Sequence, residues 1–305
     1  MTSPSLLTGT LSYLTASVLW GLNIPLTTSL LKSFDPFWIS PSRYVIASLV
    51  LGAIVWATLG ARQLRSPISF ARLAIMSLSV AAFLLFFNLG LNYTQPITAA
   101  AITAGSPVYV AVVSKMMTGA RLEKGFWGAT LLTIVGAAIA IYGRAAATGE
   151  GMSLQGGEWL LVLALASWTA YSILAQRWFT SDTPALRRTF LSSLGAVPWL
   201  LLIWGFARVF GFTREPNLNP TPVAWGNLLM ASVLCTALAT VAWNMGVARL
   251  GIATGAMWQN LVPVFAVLIS LIFYGVTPLP AQLLGGAVVM AGVLYMQSQK
   301  FKVKL

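Results

Sequence analysis

The sequence predicts an all-α polytopic membrane protein: ten transmembrane helices, arranged as two inverted five-helix repeats around a central cavity, with both termini in the cytoplasm. Three observations support this fold class. Hydrophobic residues make up 58% of the 305 residues and charged residues only 8%, whereas a soluble domain carries about 25% charged residues. Apolar stretches of about 20 residues, each long enough to cross a hydrocarbon core of about 30 Å as a helix, recur along the chain. The two halves of the chain also resemble each other.

Ten apolar stretches are expected to cross the membrane in turn. Their approximate bounds are 7–31, 36–60, 72–93, 96–118, 124–143, 156–178, 184–210, 223–248, 252–275 and 278–298. The longest polar interruptions, 143–157 and 211–222, are rich in turn-forming residues and too short to be soluble domains. No lysine or arginine precedes the first apolar run, so it is interpreted as a span and not as a cleavable signal peptide.

The basic residues are distributed unequally between alternate loops. Thirteen of the eighteen lie on the side of the two termini: Arg62, Arg65, Arg72, Lys115, Arg121, Lys124, Arg177, Arg187, Arg188, Arg249, Lys300, Lys302 and Lys304. The other five are Lys32, Arg43, Arg144, Arg208 and Arg214. Because lysine and arginine are enriched in cytoplasmic loops, both termini are predicted to be cytoplasmic. No nucleic-acid partner is expected, since no soluble basic face with exposed aromatic residues is visible.

Identical residues recur in the two halves of the chain. One ungapped register pairs Asn88 with Asn244, Thr98 with Thr254, Pro107 with Pro263 and Gly136 with Gly292, and a second register pairs Trp20 with Trp168 and Pro36 with Pro184. Residues 1–150 and 151–305 are therefore predicted to be two copies with five spans each. Because five is odd, the second copy must enter the membrane upside down. Many secondary transporters use such inverted repeats to alternate access around a midplane site.

Proline interrupts the fourth and ninth spans at matching places. Pro107 crowds the carbonyl group of Thr103, Pro263 crowds that of Gln259, and each proline removes one backbone donor. Irregular backbone at membrane depth is tolerated where protein or a water-filled cavity satisfies it, so both helices are expected to bend and line the substrate path. The alternative is interhelical packing without a transport role. The cavity candidates near the bends are Thr103, Ser106, Trp258, Gln259 and Asn260.

Two tryptophans lie near the middle of their spans, away from the interface where tryptophan is usually found. Trp168 is followed one helical turn later by Tyr171, and Asn23 occupies the corresponding face beside Trp20. A buried indole needs a hydrogen-bond partner or a wet cavity, so these residues are predicted to line the cavity. Ordinary interhelical packing is the alternative. The matched asparagines of the repeat are assigned to the same cavity: Asn88 and Asn244.

Charge restricts both the mechanism and the solute. The six acidic residues lie in loops or near span ends: Asp35, Glu123, Glu150, Glu158, Asp182 and Glu215. Without a midplane carboxylate or a histidine, proton antiport through a buried acid is not expected, and downhill facilitated transport is the simpler mechanism. Sodium coupling stays open, because carbonyl and hydroxyl oxygens can bind this ion. A neutral or zwitterionic solute, with an aromatic or bulky amino acid favoured, suits an uncharged aromatic cavity.

Arg43 is the one cation that enters this argument, about two turns into the second span. Its long side chain can snorkel to the outer membrane surface, which is the favoured interpretation. The alternative is a role in gating or carboxylate binding.

Small residues mark the fifth and tenth spans. Ala129, Thr133 and Ala137 recur at four-residue spacing in the fifth span, as do Ala287 and Ala291 in the tenth. Faces of small residues allow transmembrane helices to approach closely, so these two spans are expected to form scaffold and not to contact substrate.

Other functional classes fit the residues poorly. With no histidine, one lone cysteine in an apolar run (Cys235) and no buried acid, neither an intramembrane enzyme nor a metal site is expected. No cofactor is expected, and the chain has no phosphate-binding GxxxxGK[ST] loop, so neither ATP hydrolysis nor an ATPase subunit is indicated. A channel remains the alternative, although no selectivity constriction or ring of charge is visible.

Four segments carry a resemblance to a known family. They are LWGLNIPL (19–26), its counterpart SWTAYSIL (167–174), GSPVYVAVVS and NLVPVFAVLIS. Their order and doubling resemble the EamA-type branch of the drug/metabolite transporter superfamily, in particular bacterial exporters of amino acids, including aromatic ones. The resemblance implies a pseudo-symmetric ten-helix protein of the bacterial inner membrane that exports small metabolites. A multidrug permease or a permease for another metabolite is the alternative within this family.

Overall fold

The computed structural model of the protein describes residues 4–119, 122, 124–149, 151, 154–213, 215–217 and 219–303. Over these residues the chain forms helices and no strand. Five charged residues counted in the sequence-based predictions lie outside the described residues: Arg121, Glu123, Glu150, Arg214 and Lys304.

Thirteen α-helices follow one another in the described part of the chain. They are α1 (Pro4–Leu30), α2 (Pro36–Leu59), α3 (Phe70–Asn92), α4 (Pro96–Ala104), α5 (Ser106–Thr118), α6 (Phe126–Thr148), α7 (Glu158–Trp178), α8 (Ala185–Val209), α9 (Pro222–Met230), α10 (Ala239–Leu250), α11 (Ile252–Gln259), α12 (Val262–Tyr274) and α13 (Pro280–Val303). A 3₁₀ turn, Ala61–Leu64, follows α2. A π-helical segment, Ala231–Leu238, joins α9 to α10 without a break.

Local signals in the sequence explain where several helices begin. The Asp35 carboxylate accepts a hydrogen bond of 2.9 Å from the Phe37 amide at the start of α2. Thr221 caps α9 in the same way, accepting from the Ala224 amide at 3.3 Å. In both helices a proline follows the cap, at the one place in a helix where a missing amide donor costs nothing.

The described residues contain eight helices that are long and apolar enough to cross a membrane, or nine if α4 and α5 form one bent span. Eight or nine of the ten predicted spans meet this criterion, and α1 is not among them. However, α1 runs along the whole of the 29-residue helix Pro222–Leu250, which does meet it. A Cβ atom on Gly9 would lie 2.6 Å from Leu250 Cγ at one end. At the other end, Asn227 Nδ2 donates to Ser29 Oγ at 3.0 Å.

The proline bends predicted in the fourth and ninth spans are helix breaks. α4 ends before Gly105, and α5 continues at an angle of 49°. α11 ends at Gln259, and α12 starts two residues beyond Asn260. Pro107 and Pro263 therefore lie in the first turn of a new helix, where no intrahelical donor is lost. This is why each span breaks before its proline instead of kinking around it.

α6 and α13 pack through their small residues, as their alanine and glycine spacing predicts. A Cβ atom on Gly136 would lie 2.6 Å from the carbonyl oxygen of Gly285, and one on Gly292 would lie 2.9 Å from Thr133 Cγ2. The two backbones approach so closely that neither glycine has room for a methyl group. Close contact between small faces is a common source of helix association in membranes.

Two close contacts between the halves of the chain are made by residues that correspond to each other in the repeat. A Cβ atom on Gly90 would lie 2.8 Å from Leu161, and one on Gly246 would lie 2.5 Å from Tyr13. Gly90 and Gly246 correspond in one register of the sequence repeat, and Tyr13 and Leu161 correspond in the other. The same contact is thus made in both directions between the halves.

Replacing Gly136 with alanine is expected to lower the free energy of unfolding by about 1–3 kcal/mol, because the added methyl group meets backbone atoms of α13. Gly205→Ala in α8 is a matched control, since no atom lies within 4 Å of its Cβ position. The melting temperatures of the two purified variants in detergent test the expectation. Equal melting temperatures would show that α6 and α13 do not need this close approach.

Candidate functional site

Three tryptophans form a triangle in the core. The ring centroids of Trp20 and Trp168 are 5.6 Å apart, and Trp243 lies 5.5 Å from the first and 5.9 Å from the second. Tyr171 extends the group, with its ring 5.2 Å from that of Trp168. We call these four residues the aromatic cluster. They come from α1, α7 and α10, so both halves of the chain contribute to it.

The aromatic cluster is closely packed. Trp243 is 1% exposed and Trp168 7%. A crevice of about 270 Å³ lies elsewhere, between α12 and α13, and its lining contains none of the residues predicted for the central cavity. The rings thus occupy the space in which an open cavity was expected. Such a cavity requires the aromatic rings to separate, and it stays a prediction.

Trp243 was not predicted as a site residue, although the sequence contains a signal for it. It directly precedes Asn244, which the repeat singles out, and it lies about two turns before the end of the helix Pro222–Leu250. Its counterpart in the first half is Phe87. Because only one half has a tryptophan at this position, comparison of the halves did not reveal it.

A buried hydrogen-bond network lies beside the aromatic cluster. Asn244 Nδ2 donates to Tyr171 Oη at 2.8 Å and to Thr189 Oγ1 at 2.9 Å. Trp243 Nε1 donates to Ser172 Oγ at 3.0 Å. The Asn244 side chain is completely buried. The network therefore fixes α7, α8 and α10 around the cluster.

Three buried polar atoms at predicted site residues have no hydrogen-bond partner in the described part of the protein. They are the indole nitrogens of Trp168 and Trp258 and the side-chain oxygen of Asn244. Buried polar groups are nearly always hydrogen-bonded, so each exception calls for an explanation. Two donors and one acceptor at predicted site residues are thus left without a partner among the described residues.

The two helix breaks touch each other. Asn260 Nδ2 donates to the carbonyl oxygen of Ala104 at 3.1 Å, and Ser106 Oγ donates to Asn260 Oδ1 at 3.3 Å. A carbonyl group next to the α4–α5 break is thus satisfied by an amide from the other half of the chain. Asn260 and Ser106 act here as interhelical links, which is the packing role considered for them from the sequence.

The other predicted polar residues make local hydrogen bonds. Thr103 Oγ1 donates to carbonyl oxygens one turn earlier in α4, at 3.0 Å. Asn23 Oδ1 accepts from Thr27 at 3.3 Å. Asn88 Nδ2 donates to Ser40 Oγ at 3.2 Å and lines a small crevice between α2, α3 and α8. Gln259 is partly exposed at the end of α11.

The two prolines face different surroundings. Pro107 is buried, whereas Pro263 is exposed. Their place in the wall of a central path stays a prediction. Phe265 and Ala266, in the first turns of α12, pack against Gly21 of α1.

Arg43 does not snorkel outward, so the favoured interpretation of this residue is wrong. Its Nε and Nη2 atoms donate to Thr236 Oγ1 at 3.0 and 2.7 Å, and Nη2 also donates to the Ala231 carbonyl oxygen at 3.3 Å. Thr236 is the midpoint of the helix Pro222–Leu250. The guanidinium group therefore points into the protein.

This helical architecture, with eight or nine helices long and apolar enough to cross a membrane in the described residues, is that of a polytopic membrane protein. The model of the EamA-like transporter family matches the chain twice, over residues 7–142 and 155–297. The chain therefore belongs to the EamA-like transporter family, as its sequence resemblance predicted.

Individual relatives fit the same class. The chain is 26% identical to the uncharacterized transporter YyaM of Bacillus subtilis, over 91% of this chain and 90% of that protein. It is also 26% identical to a probable terminal-alkyne amino-acid exporter of Streptantibioticus cattleyicolor, over 91% and 89%. It is 33% identical to a probable biotin transporter of Pseudomonas aeruginosa, over 63% and 64%. One solved crystal structure shares the fold over the full length of both chains, with a TM-score of 0.79 at 19% identity.

Proposed function

We propose that the protein exports small neutral or zwitterionic metabolites, and that bulky or aromatic amino acids are its favoured solutes. The observation that carries this proposal is the aromatic cluster together with the unpartnered polar atoms of Trp168 and Asn244. Aromatic faces stack on bulky side chains, and the indole donor and amide acceptor supply a few hydrogen bonds. The similarity to a probable terminal-alkyne amino-acid exporter supports the same class of solute.

The proposed architecture has ten spans in two inverted repeats, 1–150 and 151–305. The exchanged contacts of the glycines and the two separate matches to the family model support it. When α1 is counted as a span, because it runs along the membrane-spanning helix Pro222–Leu250, each repeat crosses the membrane five times. An odd number places the second repeat upside down relative to the first.

The proposed orientation has both termini in the cytoplasm of a bacterial cell, with the protein in the inner membrane. The basic segment after α2 and the start of α8 support this orientation, because they lie together. Arg187 donates to the carbonyl oxygens of Gln63 and Arg65 at 2.9 and 2.7 Å. Basic residues at one end of the bundle mark the cytoplasmic side.

Transport by this arrangement is proposed to proceed by alternating access. The aromatic cluster joins the two repeats at the centre, so a rocking motion between the repeats opens it toward one side at a time. No ion coupling is needed. The acidic residues in the described part of the chain lie at helix ends or in loops: Asp35, Glu158, Asp182 and Glu215. A carboxylate that could carry a proton through the middle of the spans is missing from this part.

Counterflow in proteoliposomes tests the proposed function. Vesicles loaded with unlabelled phenylalanine are expected to accumulate labelled phenylalanine transiently, because a carrier exchanges its solutes whereas a channel does not. The initial rate is expected to be the same with and without an imposed pH gradient, since no buried acid takes part. A rate that follows the pH gradient would contradict uncoupled transport. Absence of counterflow, with rapid equilibration of label, would favour a channel.

A further inference from the structure

Among the residues that the structure describes, Arg43 is a cation in the interior without a carboxylate beside it. Its hydrogen-bond acceptors are the Thr236 hydroxyl group and the Ala231 carbonyl group, both neutral. In the described part of the chain, the ion pair within 4 Å is instead Arg208–Glu215. A charge inside a membrane protein is costly unless it is paired, and it usually marks a functional site. The positive charge of Arg43 therefore lacks the counterion that its position calls for.

Comparison with the buried Arg188 shows that Arg43 has no equivalent structural explanation. Arg188 donates to Gln176 Oε1 at 2.9 Å and to the carbonyl oxygen of Thr180 at 2.7 Å. It thus caps the chain just after α7 ends, where cations are favoured by the helix dipole. Arg43 instead contacts the middle of the helix Pro222–Leu250, so it caps no helix end.

Both acceptors that hold Arg43 are uncharged. The Ala231 carbonyl oxygen is shared between Arg43 Nη2 at 3.3 Å and Thr236 Oγ1 at 3.1 Å, whereas the Thr236 hydroxyl group accepts from Arg43 Nη2 at 2.7 Å. Ala231 and Thr236 both belong to the π-helical segment, and π-helical turns occur frequently at functional sites. A carboxylate would offer the guanidinium group two charged acceptors in matching geometry, which is a stronger interaction than these.

A polar face connects Arg43 to the aromatic cluster. Thr236, Thr240 and Asn244 recur every four residues, so they lie on nearly one face of the helix, and all three are buried. Asn244 ends this row beside Tyr171 of the aromatic cluster. A solute with its carboxylate on Arg43 would therefore extend along a polar face toward the aromatic rings.

We propose that Arg43 binds the carboxylate group of the transported solute and makes a carboxylate a requirement for transport. This inference rests on the proposed function and specifies the chemical group that the site recognises. A charge-assisted hydrogen bond of this kind corresponds to a discrimination of about 10- to 100-fold between a solute with a carboxylate and an analogue without one. Binding of the carboxylate to Arg43 does not require the solute to carry an amino group.

Competition in the counterflow assay tests the proposal with two analogues of phenylalanine. One, 3-phenylpropionate, keeps the carboxylate and lacks the amino group, and the other, phenethylamine, keeps the amino group and lacks the carboxylate. For the unchanged protein, 3-phenylpropionate is expected to inhibit at a concentration at least about tenfold lower than phenethylamine. Arg43→Gln is expected to abolish this preference, and Arg43→Lys to keep part of it. Arg188→Gln is the control that should leave the preference unchanged.

The outcomes separate this inference from the proposed function. Equal inhibition by both analogues in the unchanged protein, or an unaltered preference in folded Arg43→Gln, would overturn the role of Arg43. If Arg43→Gln does not fold, the role of Arg43 is decided by the preference for 3-phenylpropionate over phenethylamine in the unchanged protein and in Arg43→Lys. If phenylalanine gives no counterflow, the proposed function fails. Tryptophan fluorescence titrations with 3-phenylpropionate, biotin and phenethylamine then still decide whether a carboxylate is bound through Arg43.

Discussion

Replacing Trp168 with alanine is expected to lower the rate of phenylalanine counterflow by about tenfold or more. The Trp168 ring contacts Trp20, Trp243 and Tyr171, so its loss removes the central face of the aromatic cluster. Each aromatic pair is worth about 0.5–1.5 kcal/mol beyond the area that it buries. The same ring is the surface on which a bulky solute would stack. Initial counterflow rates at equal amounts of reconstituted protein measure the effect.

Trp225→Ala is the matched control for Trp168→Ala, because it deletes the same atoms at another position. Trp225 is 44% exposed, and its described ring contact is Phe34, at 5.5 Å. Its replacement is expected to leave the counterflow rate within about twofold of the unchanged protein, since exposed positions contribute little. Trp168→Phe keeps an aromatic face without the indole donor, so it separates stacking from hydrogen bonding. Equal losses in the two alanine variants would remove the aromatic cluster from the transport path.

The repeat and the position within each span single out Trp20 and Trp168 independently. Trp20 and Trp168 correspond in the repeat and lie far from the span ends, and their rings are in contact. Composition and hydropathy were sufficient for the helical fold, since an apolar stretch in a membrane has to satisfy its own backbone. The proline positions were likewise sufficient to locate the breaks.

Side-chain direction could not be predicted, because it depends on which helices become neighbours. Arg43 was expected to reach outward, and it contacts a π-helical segment whose sequence contains neither proline nor glycine. Pro263 is exposed, whereas its repeat partner Pro107 is buried. Both cases concern the face on which a residue lies. Hydrophobic spacing defines this face poorly in a helix that is apolar all round.

Asn244→Ala is expected to lower the free energy of unfolding by about 2 kcal/mol, the largest loss of stability expected from a single amide. The side chain is completely buried and donates to both Tyr171 and Thr189. Interhelical hydrogen bonds in membranes contribute about 0.6 kcal/mol each on average and up to about 1.7 kcal/mol. Removal of this amide also leaves a cavity between α7, α8 and α10. The melting temperature in detergent, read by loss of the monodisperse species, measures the change.

The equivalent asparagine of the first half provides the control for Asn244→Ala. Asn88 is partly exposed and makes one side-chain hydrogen bond, to Ser40 at 3.2 Å, so Asn88→Ala is expected to cost less than about 1 kcal/mol. The two variants make the same chemical change at corresponding positions of the repeat. A difference in the loss of stability between the two variants therefore reflects the different surroundings of Asn88 and Asn244. If Asn88→Ala were as destabilising as Asn244→Ala, the buried network would not be what distinguishes the two halves.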